Sequence, residues 1–282
     1  MAKLNLDYYT AKDHYSDGDI ENTLLEMARE GKSFQDLPEE EVSFPMVYHF
    51  SDLRENILNW YPLKKTDSVL EIGAGCGAIT GMLCQKAGKV TSVELSRRRA
   101  EINFARNSEK ENLTIMVGNL NDMTFPENFD YVVVNGVLEY AMSFTEGKTP
   151  YETFLKEMGG YLKPEGKLLI AIENRLGLKY FAGAPEDHTD IHFFGIDGYP
   201  ENHSVRTFSK EELGELLKNS GFPFLHFYYP YPDYKFPTEI FTDESLYTNS
   251  YGRNYPVYTD KTAALFSESE GVKAFEKEKI LD

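Results

Sequence analysis

Six short apolar runs punctuate the middle of the chain, at Ser68–Ile72, Val90–Glu94, Leu113–Val117, Tyr131–Asn135, Lys167–Ile172 and Phe224–Tyr229. Most are continuous rather than alternating, the pattern of strands buried on both faces. The stretches between them predict helices over Gly77–Ala87, Arg97–Asn107, Tyr151–Tyr161 and Lys210–Ser220. Ser209 and Glu212 form a capping box for the last of these. Strands alternating with helices imply an α/β fold, a doubly wound parallel sheet over residues 66–242. Residues 1–65 read differently, as a peripheral helical segment. Asp19 is placed to cap a helix through about Arg29 that Gly31 ends, and a second helix is predicted over Ser51–Trp60, stopped by Pro62. Residues 243–282 close with the acidic stretch SESEGVKAFEKEKILD, which reads as a solvated surface helix or as a linker to further domains.

Composition narrows the function. The 282 residues carry 29 Lys and Arg against 46 Asp and Glu, a formal charge of −17, with no basic stripe to offset it. Such a chain repels phosphate backbones and anionic bilayers, so neither nucleic acid nor membrane is the expected partner. Hydrophobic residues at 41% and charged residues at 27% fit a globular protein with its own core. The only cysteines are Cys76 and Cys84, which excludes a disulfide framework and makes a reducing cytoplasm the simplest setting. The opening MAKLNLDYYT lacks the apolar stretch of a signal peptide.

The segment Val69-Leu70-Glu71-Ile72-Gly73-Ala74-Gly75-Cys76-Gly77-Ala78 carries the candidate chemistry. A buried strand runs into glycines and then a helix. That arrangement lets a ligand approach the backbone and offers it unpaired N–H groups. Glu94 closes the next strand, 21 positions after Gly73, where an acid can accept both hydroxyls of a ribose. Read as Gly-x-Gly-x-x-Ala (Gly73, Gly75, Ala78), the loop suits a dinucleotide. Read as an acid followed by Gly-x-Gly-x-Gly (Glu71, Gly73, Gly75, Gly77), it suits S-adenosylmethionine.

Four ordered motifs favour the second cofactor: VLEIGAGCG, VTSVEL, GNLNDM followed by FDYVVVNGVLEYA, and GGYLKPEGKLLIAIEN. Over Thr66–Asp243 the chain resembles the class I S-adenosylmethionine-dependent methyltransferases. The resemblance implies a Rossmann-like sheet with a helical N-terminal lid and an insertion after strand five. It also implies that Gly73, Ala74, Gly75 and Gly77, preceded by Glu71, wrap the methionine moiety, that Glu94 holds the ribose, and that Leu95 lies against the adenine. Where the family often places an Asp for the adenine amino group, this chain has Asn119 and Leu120, and the Asn119 amide oxygen can still accept. Asn135 and Gly136 would line the methionine chain through their carbonyls. From the N-terminal segment, Tyr15 would cover the cofactor and Arg54 would pair with its carboxylate.

The acceptor site is expected beyond the carboxyl ends of strands four and five. Glu139 and Tyr140 follow the fourth strand and Glu173 the fifth. The 35 residues between Glu173 and Ser209 are long for a connection inside a compact domain and are read, over 174–208, as an aromatic-rich insertion covering the acceptor. Glu139, Glu173 and His188 are the candidate bases, with His188 expected to titrate near neutrality, and Tyr140 is a candidate for positioning. The Phe193-Phe194 pair is expected to face the acceptor or to fasten the insertion to the sheet. Asp187-His188-x-Asp190-x-His192 matches no closed zinc site, so no metal is expected. The function so implied is methyl transfer by in-line displacement to a small-molecule or carbohydrate acceptor. An NAD(P)-dependent oxidoreductase and a non-catalytic cofactor-binding module remain as alternatives.

Overall fold

The computed structural model describes residues 1–11, 16–181, 183–200 and 204–246. Strand β1 (Lys3–Tyr8) and helices α1 (Ile20–Glu30), α2 (Phe44–Phe50) and α3 (Asn56–Asn59) come first. They precede β2 (Ser68–Ile72), α4 (Thr80–Lys86), β3 (Lys89–Glu94), α5 (Arg97–Asn107), β4 (Leu113–Gly118) and β5 (Phe129–Asn135). Next are α6 (Ala141–Phe144), α7 (Pro150–Gly160) and β6 (Leu162–Ala171). Then follow α8 (Leu178–Phe181), α9 (Lys210–Asn219), β7 (Tyr228–Tyr231), β8 (Glu239–Thr242) and α10 (Asp243–Leu246). The chain divides into two compact units. One takes Met1–Val137 and Glu157–Ala171; the other takes Leu138–Lys156 and the described residues from Ile172 onward.

The first unit is built on a six-stranded sheet in the order β1-β4-β3-β2-β5-β6, every pair parallel. Its central strands are the apolar runs: Val69, Leu70, Val90, Ile115, Val117, Val132 and Val134 are all buried. The strand order turns back between β2 and β5, the crevice where open α/β sheets bind their ligands.

The N-terminal region departs from the helical lid expected over 1–65. Its first residues form β1, which pairs with β4 as an edge strand. Lys3, Asn5 and Asp7 alternate with Leu4, Leu6 and Tyr8 there, so the strand lacks the apolar run that marks its neighbours, and its charges suit an edge. Helix α1 packs through Leu24, Leu25, Met27 and Ala28 against Ile102 of α5 and Cys76. Gly31 ends α1 in the left-handed region, as expected, but Asp19 makes no side-chain cap.

The expected strand Phe224–Tyr229 also differs. Residues 224–227 are irregular, with Phe224 91% exposed, and β7 pairs antiparallel with β8 in a separate two-stranded sheet. Prolines 223, 230 and 232 explain the change, because each removes a backbone donor that a central strand would need. Among the described residues no helix is long and apolar enough to cross a membrane.

One carboxyl group braces the sheet from inside. Glu71 of β2 is buried, and its Oε2 accepts from Thr80 Oγ1 of α4 at 2.7 Å and Ser92 Oγ of β3 at 2.5 Å. Thr80 in turn accepts from Asn103 Nδ2 of α5 at 3.1 Å. Burial pushes the Glu71 carboxyl up to about 7, although the Ser92 and Thr80 hydroxyls oppose the shift. The folded state thus holds this proton more tightly than the unfolded chain. Its stabilising contribution is complete below the ordinary carboxyl value and is lost as pH rises through about 7. Glu71→Gln keeps an acceptor oxygen and removes the titration. From pH 4.5 to pH 8 the variant should gain about 3 kcal/mol relative to the parent chain. Denaturant unfolding across that range measures the difference; parallel pH profiles for the two proteins would contradict it.

Candidate functional site

The loop from β2 to α4 is set by glycines. Gly73, Gly75 and Gly77 have φ of 66°, 54° and 79°. A side chain at Gly77 would run into the carboxamide of Asn103, whereas a Cβ at Gly75 meets nothing within 4 Å. The loop therefore packs against α5 at Gly77 and presents bare backbone to open space at Gly75. The turn through Cys76–Ile79 delays α4 to Thr80, three residues beyond the helix start expected from sequence.

Neighbouring strand β3 fastens this loop. Ala74 N–H donates to the Val93 carbonyl at 3.0 Å, and Gly75 N–H donates to Glu94 Oε2 at 2.7 Å. Glu94 Oε1 accepts from Ser96 N–H at 2.8 Å. Burial raises the Glu94 carboxyl, and the amides of Ser96 and Gly75 pull it back. Each oxygen retains acceptor capacity, since a carboxylate offers about four lone-pair sites. An open cradle at Gly75 beside a carboxylate at a strand terminus fits a ribose-bearing ligand with an extended chain. Cys76 faces inward; burial raises its thiol to about 12, so it is no nucleophile, and its carbonyl accepts from Arg106 Nη1 at 2.8 Å.

The other expected cofactor residues are distributed unevenly. Leu95 and Leu120 are half-buried. Asn119 spends its Oδ1 on the Asn121 N–H at 3.1 Å, capping the turn that follows β4. Asn135, at the end of β5, buries an Oδ1 that has no hydrogen-bond partner, and Gly136 N–H bonds the Ala171 carbonyl at 2.9 Å. Glu71 is turned into the interior network described above. Arg54 is buried with its guanidinium 4.3 Å from the centre of the Tyr48 ring, which engages it inside the fold. Tyr15 lies outside the described residues.

Sequence reasoning missed how the N-terminal segment is held. Asp17 Oδ2 meets His49 Nε2 at 2.8 Å and Arg99 Nη2 at 2.7 Å, and Arg99 Nε meets Glu21 at 2.8 Å. The Arg97–Arg99 run is therefore consumed locally: Arg97 pairs with Glu101 at 2.7 Å, Arg98 reaches Asn22, and Arg99 takes the two acids.

The second unit gathers all four catalytic candidates. His188 Nε2 lies 3.8 Å from Glu139 Oε1 and 3.9 Å from Glu173 Oε1, with the Tyr140 ring edge-on at 5.4 Å. His188 Nδ1 meets Glu186 Oε1 at 2.9 Å. Glu186 also accepts from the His188 and Thr189 amides at 2.9 and 2.8 Å and from the Tyr199 hydroxyl at 3.2 Å. Lys235 Nζ sits 2.7 Å from Glu173 Oε1. Lys179 bridges Asp187 at 2.8 Å and Asp233 at 3.0 Å, and the Tyr180 hydroxyl donates to Asp187 at 2.7 Å. Ligand atoms of Glu139, Glu173 and His188 all fall within 4.8 Å of one another.

Two expectations are corrected here. His188 does not titrate near neutrality. Burial alone would lower it, but the carboxylates of Glu139, Glu186 and Glu173 outweigh that and hold it up to about 11. Nor do Phe193 and Phe194 act as a pair: Phe194 is buried edge-on against Tyr199 at 5.4 Å, while Phe193 is exposed. His192 bonds the Gly183 carbonyl at 2.9 Å, apart from the His188 group. Glu186, two residues before His188, was the missed residue with a signal, since an acid at that spacing can fix the imidazole.

The loop geometry separates two substitutions. Gly75→Ala places a Cβ in open space and should cost only the left-handed strain, about 1–2 kcal/mol. Gly77→Ala adds the collision with Asn103, whose carboxamide is tied to Thr80 and Asn107. Thermal melts should show a clearly larger loss for Gly77→Ala; equal losses would mean that the loop does not pack as described.

Residues 70–170 match a family model described as a methyltransferase domain. The malonyl-[acyl-carrier protein] O-methyltransferase of Priestia megaterium is 26% identical over 156 residues, which cover 55% of this chain and 46% of that protein. The rRNA adenine N-6-methyltransferase of Bacillus licheniformis is 34% identical over 91 residues, 32% of this chain and 31% of that protein. The matches thus span less than half the length of either relative. The glycine loop, the acid closing β3 and the parallel sheet with its turn-back beside β2 agree with the family match, which makes residues 70–170 a methyltransferase domain of the S-adenosylmethionine-dependent, Rossmann-like kind.

Proposed function

We propose that the methyl acceptor is a small hydroxyl-bearing molecule, such as a carbohydrate, and that Glu139, Glu173 and His188 of the second unit bind and orient it. S-adenosylmethionine supplies an electrophilic methyl group. An acceptor hydroxyl that gains this methyl gives up its proton, leaving an ether and S-adenosylhomocysteine. The observation that carries the reading is a pair of buried carboxylate oxygens, Glu139 Oε2 and Glu173 Oε2, that have no hydrogen-bond partner among the described residues. Buried acceptors of this kind are costly unless a donor reaches them. A substrate hydroxyl is such a donor, and either carboxylate can then take its proton. His188, fixed through Nδ1 by Glu186, turns Nε2 toward both carboxylates and limits where that hydroxyl can sit. The charge of −17 supports a small acceptor over a nucleic acid, although one relative is named for rRNA.

On the cofactor side, the reading gives Gly73–Gly77 the methionine moiety and Glu94 the ribose. Glu94→Ala removes the ribose acceptor and leaves the Gly75 and Ser96 amides without one, so it should weaken S-adenosylhomocysteine binding by at least about tenfold and also lower stability. Calorimetry below the variant's melting range measures the affinity, and an unchanged Kd would remove Glu94 from the site.

The acceptor is tested by screening sugars, small alcohols, phenols, amines, acyl-carrier substrates and RNA for S-adenosylhomocysteine release. With an acceptor in hand, Glu139→Gln and Glu173→Gln should bind S-adenosylhomocysteine as the parent does. At least one should lose roughly 10²–10⁴-fold in turnover. Full turnover in both, or turnover confined to RNA or amines, would overturn the proposal.

A further inference from the structure

The group around His188 contains more than an acid–base pair needs. Five carboxylates, Glu139, Glu173, Glu186, Asp187 and Asp233, are linked through His188, Lys179 and Lys235 in one network of ion pairs. An ion bound at His188 Nε2 would displace the proton held there, and among the described residues the network then has two ammonium groups for five carboxylates. We propose that Glu139, Glu173 and His188 are the protein ligands of a divalent metal ion.

Donor geometry is the first support. His188 Nε2 stands 3.8 and 3.9 Å from the facing carboxylate oxygens. Ligands about 2.0–2.2 Å from one ion lie roughly 3–3.6 Å from each other, so the two His188–carboxylate separations need inward shifts of a few tenths of an ångström, and the three donors, all within 4.8 Å of one another, would draw together around the ion. One imidazole and two carboxylates suit Mn2+, Fe2+ or Zn2+ and leave coordination positions open.

Support also comes from behind the ligands. Glu186 holds Nδ1 of His188 and is itself fixed by two backbone amides and the Tyr199 hydroxyl. A carboxylate on one imidazole nitrogen directs the lone pair of the other toward an ion, the arrangement found behind metal-bound histidines.

Independently, Glu139 and Glu173 are only 1% and 5% exposed, yet the Oε2 of each lacks a hydrogen-bond partner among the described residues. Glu173 Oε1, the oxygen that faces His188, also pairs with Lys235 Nζ at 2.7 Å, so an ion there would share this carboxylate with the ammonium group. Buried carboxylate oxygens are retained when something satisfies them. A divalent ion would do so and bring the network to a residual charge of one. That the ion would hold an acceptor's oxygen rests on the function proposed above; that it binds does not.

The test uses the full chain, treated with EDTA, dialysed and titrated with MnCl2 while the free-ion resonance is followed by electron paramagnetic resonance. The expected result is one saturable site per chain. Affinity should fall at least about tenfold in Glu139→Gln and in Glu173→Gln. Circular dichroism and S-adenosylhomocysteine binding show that each variant is folded. Absence of saturable binding, or binding unaltered in both variants, overturns the proposal. The two readings fail separately. Acceptor methylation that persists in EDTA, without Mn2+ binding, removes the metal and keeps the acceptor site. A Mn2+ site in a chain that methylates no hydroxyl does the reverse.

Discussion

The bond from the Gly75 amide to Glu94 joins the ends of two parallel strands, and the shape of the glycine loop depends on it. Parallel pairing of β2 and β3 brings both carboxyl ends to one edge of the sheet. The chain leaving β2 must turn at once, and the positive φ values at 73, 75 and 77 allow this. Glu94 takes the amide that the turn exposes and remains able to accept from a ligand. Holding a carboxylate there has a cost, visible in the upward push that burial gives its titration. A protein needing only a stable turn would gain little from an ionisable group at that position. A cofactor whose ribose needs two acceptors would gain specificity from it.

Beneath the loop, Glu71 ties β2 to β3 and α4 through two hydroxyls, and Asn103 continues the connection into α5. A second set of bonds holds the N-terminal segment, where Asp17 and Glu21 close on His49 and Arg99. Three basic residues at the start of a helix oppose its dipole. Here Arg97 pairs with Glu101 of its own helix, while α1 and the preceding turn supply an amide to Arg98 and two acids to Arg99. In the second unit the same principle operates with less slack: the carboxylates around His188 outnumber the cations. The excess negative charge is the property from which both the acceptor reading and the metal reading begin.

Much of this was legible in the residues. The four central strands are short apolar runs because both of their faces are covered, and the helix after Ser209 begins with the capping box that its sequence spells. The glycine loop and Glu94 stood out because a tight turn and a strand-end acid have a fixed spacing in this topology. Strand β1 was hidden because an edge strand buries one face at most, so KLNLDY carries alternation over only six residues. The β7–β8 hairpin was hidden by prolines inside an aromatic run. At the second cluster, Glu139, Glu173 and His188 could be named singly. Their convergence could not be read, because Glu139, Glu173 and His188 are spread over 50 positions, and Lys179 and Lys235, which complete the network, carry no spacing signal. The charge state of His188 was hidden for the same reason: it is set by three carboxylates, of which only Glu186, two positions away, is near in sequence.

The central claim is that the loop at Gly73–Gly77 and the carboxylate of Glu94 form the cofactor site. A crystal structure of the chain with S-adenosylhomocysteine tests it most directly. The account predicts both ribose hydroxyls within about 3 Å of the Glu94 carboxylate, with the amino-acid end of the ligand lying along the open backbone at Gly75. A nucleoside bound with its ribose on other residues, leaving Glu94 and the loop untouched, would contradict it.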